Sequence, residues 1–176
     1  MSIFDYLIEI LLFCCLGLYV LFFAFYFIFP LLGHAPYYPS GKKSIKEMIK
    51  LAGLKGNERI IDLGSGDGRL VLEAAKYCKV AKGIEHNPFF VFFSNIKKCF
   101  FRRKANVSFV YGNMYKHDLS QYDVIFCYLL PESMRKLEQK MKKELKPGTK
   151  VISNTFHIKV FKEVKSVGKI KMYVVK

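Results

Sequence analysis

From its N-terminus the chain begins with a block in which polar positions almost vanish. From Ile10 to Leu32, "ILLFCCLGLYVLFFAFYFIFPLL", no residue is charged. A helix of that length rises about 34 Å, enough to cross the apolar core of a bilayer with some tilt. Beyond Gly41 the pattern changes to short alternating elements. "KSIKEMIKLAGL" has apolar positions at helical spacing and ends near Gly53. "RIIDLG" predicts a buried strand, "DGRLVLEAAKYC" a helix, "VAKGIE" a strand, and "PFFVFFSNIKKCFFRRK" a helix with Pro88 in its first turn. "VSFVYG" and the longer "YDVIFCYLL" read as strands, and "ESMRKLEQKMKKEL" as a charged helix closed by Pro147-Gly148. "KVISNTF" is a fifth strand, and "EVKSVGKIKMYVVK" two more around Gly168. Strand and helix in alternation predict βαβ units, and hence an α/β fold with a doubly wound, mostly parallel sheet. The last two strands are close enough to pair as a C-terminal antiparallel hairpin. The expected organisation is a short tail over 1–9, a transmembrane anchor over 10–32, a linker over 33–42 and a folded domain over 43–176.

Charge sharpens the first of these elements. A cleaved signal peptide has a basic start and a shorter apolar run, whereas here Asp5 and Glu9 precede the run and no Lys or Arg does. Lys42, Lys43, Lys46 and Lys50 follow it, so the positive-inside rule places the domain on the cytoplasmic side of a single-pass anchor. Tyr37 and Tyr38 fall where aromatic side chains favour the interface, and Pro30, Pro36 and Pro39 predict a stiff, non-helical exit. All 29 Lys and Arg lie after the run, against 12 of the 14 acids, which leaves that part at +17. Such a surface seeks an anionic partner. For a domain held at a membrane, anionic lipid accounts for it without nucleic acid. The five cysteines form no CxxC pair. Cys14 and Cys15 sit in the apolar run, and Cys78, Cys99 and Cys127 in apolar settings, which predicts reduced packing residues. His34, His86, His117 and His157 have no ligand spacing, and no metal is expected.

The chemistry concentrates in "IIDLGSGDGR". In a doubly wound, Rossmann-like sheet a ligand sits beyond the carboxyl end of the first strand. A dinucleotide loop reads G-x-G-x-x-G and offers a helix N-terminus to a pyrophosphate. Here Gly64, Gly66 and Gly68 alternate, and Asp62 and Asp67 flank them. Two carboxylates would repel a pyrophosphate by about 3 kcal/mol per charge pair, at about 5 Å and an effective dielectric of about 20. S-adenosylmethionine has no phosphate, and its α-ammonium and sulfonium favour acids, while its own carboxylate can use backbone amides at the turn. Glu85, which ends the second strand, is placed to accept hydrogen bonds from ribose hydroxyls. Asn113 in "YGNMY" ends the third strand, where an amide can pair with adenine; a turn asparagine is the alternative. With Ser65 and Met114, the expected cofactor residues are Asp62, Gly64, Ser65, Gly66, Asp67, Gly68, Glu85, Asn113 and Met114.

Four stretches, "APYYPS", "DLGSGDGRLVLEAA", "GIEHNPFFV" and "YDVIFCYLLPESM", carry a resemblance. The chain resembles the class I, seven-β-strand methyltransferases. More narrowly it resembles the membrane-anchored lysine methyltransferases of the ATP synthase c-subunit and the adenine nucleotide translocase, over residues 35 to 155. The resemblance implies S-adenosylmethionine binding by Asp62, Gly64, Gly66 and Glu85. It also implies a protein substrate whose lysine enters near Tyr37, Tyr38 and the Leu130-Pro131 turn, with Tyr38, Tyr128 and Pro131 about the reacting centre. The short C-terminal part leaves little room for a full fifth helix on the acceptor side. After the fourth strand the Asn/Asp-Pro-Pro-aromatic motif is missing, which counts against base nitrogens and glutamine amides as acceptors. Asn87-Pro88 follows a different strand and is expected to cap a helix. The rival readings are a lipid or quinone methyltransferase, an RNA methyltransferase and a non-catalytic cofactor-binding module.

Overall fold

The computed structural model describes residues 3–31, 39–101 and 106–176. The chain divides into two compact units, Met1–Tyr37 and Tyr38–Lys176. The first contains a single helix, α1 (Ile3–Leu31). Its stretch Ile3–Phe23 is long and apolar enough to cross a membrane, and none of that stretch is buried by protein. Two sequence expectations shift here. The helix begins seven residues before Ile10, taking in Asp5 and Glu9, and it runs through Pro30 instead of stopping ahead of it. Proline has no N–H for the carbonyl four residues before it and its ring crowds that carbonyl, and the helix ends one residue later. Pro36, Tyr37 and Tyr38 lie outside the described residues.

The second unit is a seven-stranded sheet. Its elements are α2 (Lys42–Ala52), β1 (Arg59–Leu63), α3 (Arg69–Ala74), β2 (Val80–Glu85), α4 (Pro88–Cys99), β3 (Val107–Tyr111), β4 (Val124–Cys127), α5 (Pro131–Glu144), β5 (Lys150–Asn154), β6 (Glu163–Val167) and β7 (Ile170–Val174). The strand order is β3-β2-β1-β4-β5-β7-β6. Strands β1 to β5 are parallel, and β7 runs antiparallel to both β5 and β6. This is the expected doubly wound sheet with its closing hairpin.

Strand alternation divides the core into two layers. Ile60, Ala81, Val107, Val124 and Ile152 pack under α2 and α3, together with Leu70, Val71 and Met48. Ile61, Leu63, Ile84, Ile125 and Val151 face the other side, where α5 contributes Met134, Leu137 and Met141. α5 also uses its acids: buried Glu138 accepts the Lys159 amide at 2.8 Å, and Glu144 accepts the Leu119 amide at 3.0 Å while pairing with Lys140. The segment after β5 reaches β6 without a helix among its residues, and its Ile158 is fully buried in the layer that α5 covers. Gly53 ends α2 in the left-handed region, at φ 58°, with its amide donating to Ile49 and Lys50 carbonyls.

Several elements are shorter than the apolar pattern predicted, α4 stopping at Cys99 and β5 at Asn154 among them. The helix after the glycine loop stops at Ala74, and "AKYC" continues as turns. β4 ends at Cys127, and Tyr128, Leu129 and Leu130 leave the sheet. Their apolar character serves a different contact, described below. Of the cysteines, Cys78 and Cys127 are buried packing residues, but Cys99 is exposed on α4, contrary to its apolar surroundings in sequence. All five are free thiols.

Candidate active site

In the order β3-β2-β1-β4-β5 the chain reverses direction between β1 and β4, and a crevice opens beyond the carboxyl ends of the strands at such a switch point. The loop after β1, residues 64–68, forms one wall. Gly64, Gly66 and Gly68 all take positive φ, at 76°, 52° and 76°, which side-chain-bearing residues rarely adopt. The loop after β4 forms the other wall. A Cβ on Gly64 would lie 3.1 Å from Leu129, so the "YLL" segment closes over the glycine loop instead of extending the strand.

The direction of the loop amides decides which ligand the crevice suits. Gly64 and Ser65 both donate to the Ile84 carbonyl, at 2.9 and 3.1 Å, and Gly68 donates to Ser65 at 3.0 Å. Gly66 donates to Glu85 Oε2 at 2.8 Å. Four of the five amides are therefore already used, three at the end of β2 and one within the loop, and they form no cradle for a pyrophosphate. This also corrects the expectation that the turn would offer several amides to the ligand's own carboxylate. Glu85 uses its second oxygen to accept the Asn87 amide at 2.8 Å. A carboxylate has about four acceptor positions, so Glu85 can anchor the loop and still receive a diol.

Asp62 sits on β1, one residue before its end, and is 7% exposed. Burial, with the Glu85 and Asp67 charges adding to it, pushes its carboxyl from 3.8 up to about 7. A buried acid held that high lacks cationic compensation, which a bound ammonium or sulfonium would supply. Asp67 behaves differently. Its partial burial opposes ionisation, yet bonds from Arg69 and Lys97 hold it down at about 2. Arg69 makes a two-pronged pair with it, at 2.9 Å each, and Lys97 reaches it from α4. The sequence counted both acids as crevice charge; the structure pairs Asp67 with Arg69 and Lys97, so that its charge is only a minor addition to the burial of Asp62. Asp67→Asn is accordingly expected to change the dissociation constant for S-adenosylmethionine by less than about fivefold, since such half-exposed pairs are worth about 0–1 kcal/mol. Titration calorimetry checks this.

The remaining predicted residues divide. The Ser65 hydroxyl turns under the loop, against Gly83, and is buried without a hydrogen-bond partner among the described residues; its side chain does not face a ligand. Asn113 is exposed, and its side-chain oxygen accepts the Tyr115 amide at 2.8 Å, the turn role weighed against adenine pairing. Met114 is half-buried against the α5 layer. Tyr128 is half-buried beyond β4, and Pro131 is the exposed first residue of α5. Tyr38 lies outside the described residues.

Sequence reasoning missed the scaffold beneath the loop. Ser94 on α4 is fully buried and donates to the Gly66 carbonyl at 3.1 Å. Phe109 on β3 packs where a Cβ on Gly68 or Gly83 would lie. A lone serine in "FFVFFSN" was the available signal. Asn87 caps α4, its side chain accepting the Phe89 amide at 2.9 Å. A cavity of about 510 Å³ between Lys46, Ile49, Lys50, Leu54, Glu73 and Tyr77 lies at the far end of α3 from the loop. None of the crevice acids lines it.

A parallel sheet whose switch point opens on one buried carboxylate without a cation, Asp62, beside the amide-bonded Glu85, with the loop amides turned away from the crevice, is the arrangement of the S-adenosylmethionine-dependent methyltransferases of class I. Within that class, the chain belongs to the family of the ANTKMT methyltransferase domain, whose model matches residues 62–165. It is 36% identical over 130 residues to a protein-lysine N-methyltransferase of Saccharolobus islandicus, covering 72% of this chain and 80% of that one. It is 31% identical over 121 residues to the human lysine N-methyltransferase of the ATP synthase c-subunit, covering 69% of this chain and 52% of that protein. The chain thus spans about half the length of that animal relative. Among solved structures, an RNA methyltransferase from Salinibacter ruber bound to S-adenosyl-L-homocysteine superimposes with a TM-score of 0.75 at 29% identity, covering 78% of this chain and 94% of that one. S-adenosylmethionine is the cofactor.

Proposed function

We propose that the protein is a membrane-anchored protein-lysine N-methyltransferase. The observation that carries the reading is the buried Asp62 beside Glu85, an acidic pair whose charge a cationic methyl donor would neutralise. Relatives named for lysine methylation, one of them 36% identical, support lysine as the acceptor. The apolar α1 supports the anchor, and the lysines that follow it support a cytoplasmic domain.

S-adenosylmethionine supplies an activated methyl group on a sulfonium. Asp62 would hold the cationic end, Glu85 the ribose, and Gly64, Gly66 and Gly68 would allow close approach along the loop. Asn113 and Met114 would lie at the adenine end, with Asn113 offering its amide nitrogen. The acceptor lysine must be neutral. With an ordinary pKa near 10.4, holding it so at pH 7 costs about 4.6 kcal/mol. Leu129 and Leu130, with Tyr128 and Pro131, form an apolar mouth that lowers this cost by desolvating the ammonium. Tyr38, in the linker, is the further residue that the resemblance implies on the acceptor side. Orientation of amine and methyl is the protein's main contribution, worth up to about 7–11 kcal/mol.

RNA is the second reading, supported by the charge of +17 after the apolar block and by the Salinibacter similarity. One experiment separates the two. Membranes and total RNA from the source cell are incubated with the purified protein and radiolabelled S-adenosylmethionine, beside an Asp62→Ala control. Label in a protein band that yields methyl-lysine on hydrolysis is expected, absent in the control. Label in lipid, or in RNA with steep salt dependence, would overturn the lysine assignment.

A further inference from the structure

α4 has two apolar faces, and the fold uses one. Val91 and Ser94 point to the sheet, and Ser94 is fully buried. On the opposite side Phe92, Phe93, Ile96 and Phe100 fall at three- and four-residue spacing, and therefore in one row. They are 61%, 53%, 41% and 86% exposed. The Phe92 and Phe93 rings pack edge to face at 5.8 Å. A helix apolar on nearly every side is normally buried, and a patch of this kind on an outer helix marks a surface that something covers.

We propose that this face docks on an anionic bilayer surface, independently of whether α1 spans it. The argument is charge complementarity along the same element. The C-terminal end of the helix and the residues that follow it in sequence read "KKCFFRRK", residues 97–104, with five basic residues and no acid. Lys97 is committed to Asp67, and Lys98 falls on the side of Val91 and Ser94; the basic run over 102–104 follows the exposed Phe100 in sequence. An aromatic helix row continued in sequence by a basic run is the composition of a segment lying in the interfacial plane, with rings at the acyl boundary and cations at the headgroups. The geometry has a consequence for catalysis. α4 starts three residues after Glu85, with Asn87 bonded to that carboxylate. Docking through α4 therefore holds the crevice mouth at the membrane surface, where an acceptor on a membrane protein or a lipid would be met.

The chain contains no tryptophan, so Phe93→Trp places a single reporter indole on the row. Ile96→Trp provides a second position should the first perturb folding, and Val164→Trp, on the exposed β6 edge strand, serves as the control. The full-length variants are reconstituted in vesicles of phosphatidylcholine with or without phosphatidylglycerol, with brominated lipid as quencher. The expected result is a blue-shifted emission at 93 and 96 and about twofold quenching by brominated lipid when phosphatidylglycerol is present, with neither at 164. Unquenched, red-shifted emission at both row positions would overturn the proposal. A blue shift without lipid quenching would also overturn it, because a second copy of the chain would then cover the row. Equal quenching in vesicles lacking phosphatidylglycerol would overturn the anionic requirement.

Discussion

Asp62→Asn is expected to make the empty protein more stable at pH 8 while all but abolishing cofactor binding. The carboxyl holds its proton more tightly in the folded state, near 7, than at its unfolded value of 3.8. A group of this kind contributes stability below pH 3.8 and loses it as the pH rises toward about 7, above which the buried charge is carried in full. A shift of about 3 units corresponds to about 4 kcal/mol. An asparagine removes that burden but buries an amide with imperfect partners, costing about 1–3 kcal/mol. The net gain at pH 8 is about 1–3 kcal/mol, and it should reverse to a loss toward pH 4, where the wild-type carboxyl is protonated and only the cost of the amide remains. Urea unfolding of both proteins across that range checks the sign. Truncating one member of a buried charge pair costs about 2–5 kcal/mol, so the dissociation constant for S-adenosylmethionine should rise by roughly 30- to 5,000-fold. In the wild type, affinity should also fall by up to about tenfold per pH unit below 7, because the cation must displace a proton. The variant should lose that dependence. Calorimetry showing equal affinity for the two proteins would remove the charge-matching account of the crevice.

The alternation of strand and helix, the parallel sheet and the closing hairpin were legible because apolar runs of five or six residues between glycines have few other uses. What was not legible depended on partners distant in sequence. Asp67 reads as crevice charge until Lys97, thirty residues on, reaches it from α4. Glycine spacing showed that the loop turns tightly, but not that its amides point inward to Ile84 and Glu85. The "YLL" after β4 looked like strand because an apolar crevice wall and a buried strand share a composition; only Leu129 against Gly64 tells them apart. α3 ended early for a related reason, since "AKYC" is compatible with helix and the turn that halts it is fixed by packing. Asp62 and Glu85 stand at the ends of β1 and β2 as expected, because position on a strand end is something a single sequence does encode.

Gly68→Ala is the second large effect, and it separates two costs that glycine loops usually combine. At φ 76° an alanine pays about 1–2 kcal/mol for the left-handed backbone. Its methyl would also stand 2.5 Å from Phe109 Cζ and 2.8 Å from the Ser94 hydroxyl, and overpacking of a tight core costs about 1–3 kcal/mol. Together these give about 2–5 kcal/mol, a large part of the about 5–15 kcal/mol that holds a domain folded. Gly148→Ala is the internal comparison: φ is 90° there, but nothing lies within 4 Å of the added methyl, so only the backbone cost applies. Shortening the obstructing ring with Phe109→Leu should recover part of the steric cost in the Gly68→Ala background and none in the Gly148→Ala background, a coupling that a double-mutant cycle reads directly. The loop should also be displaced from Glu85, because Ser94 holds Gly66 on one side and would have to yield. Cofactor affinity should therefore fall with Gly68→Ala and stay unchanged with Gly148→Ala. Equal destabilisation by the two alanines would mean that Phe109 and Ser94 yield freely, and that α4 does not set the shape of the crevice.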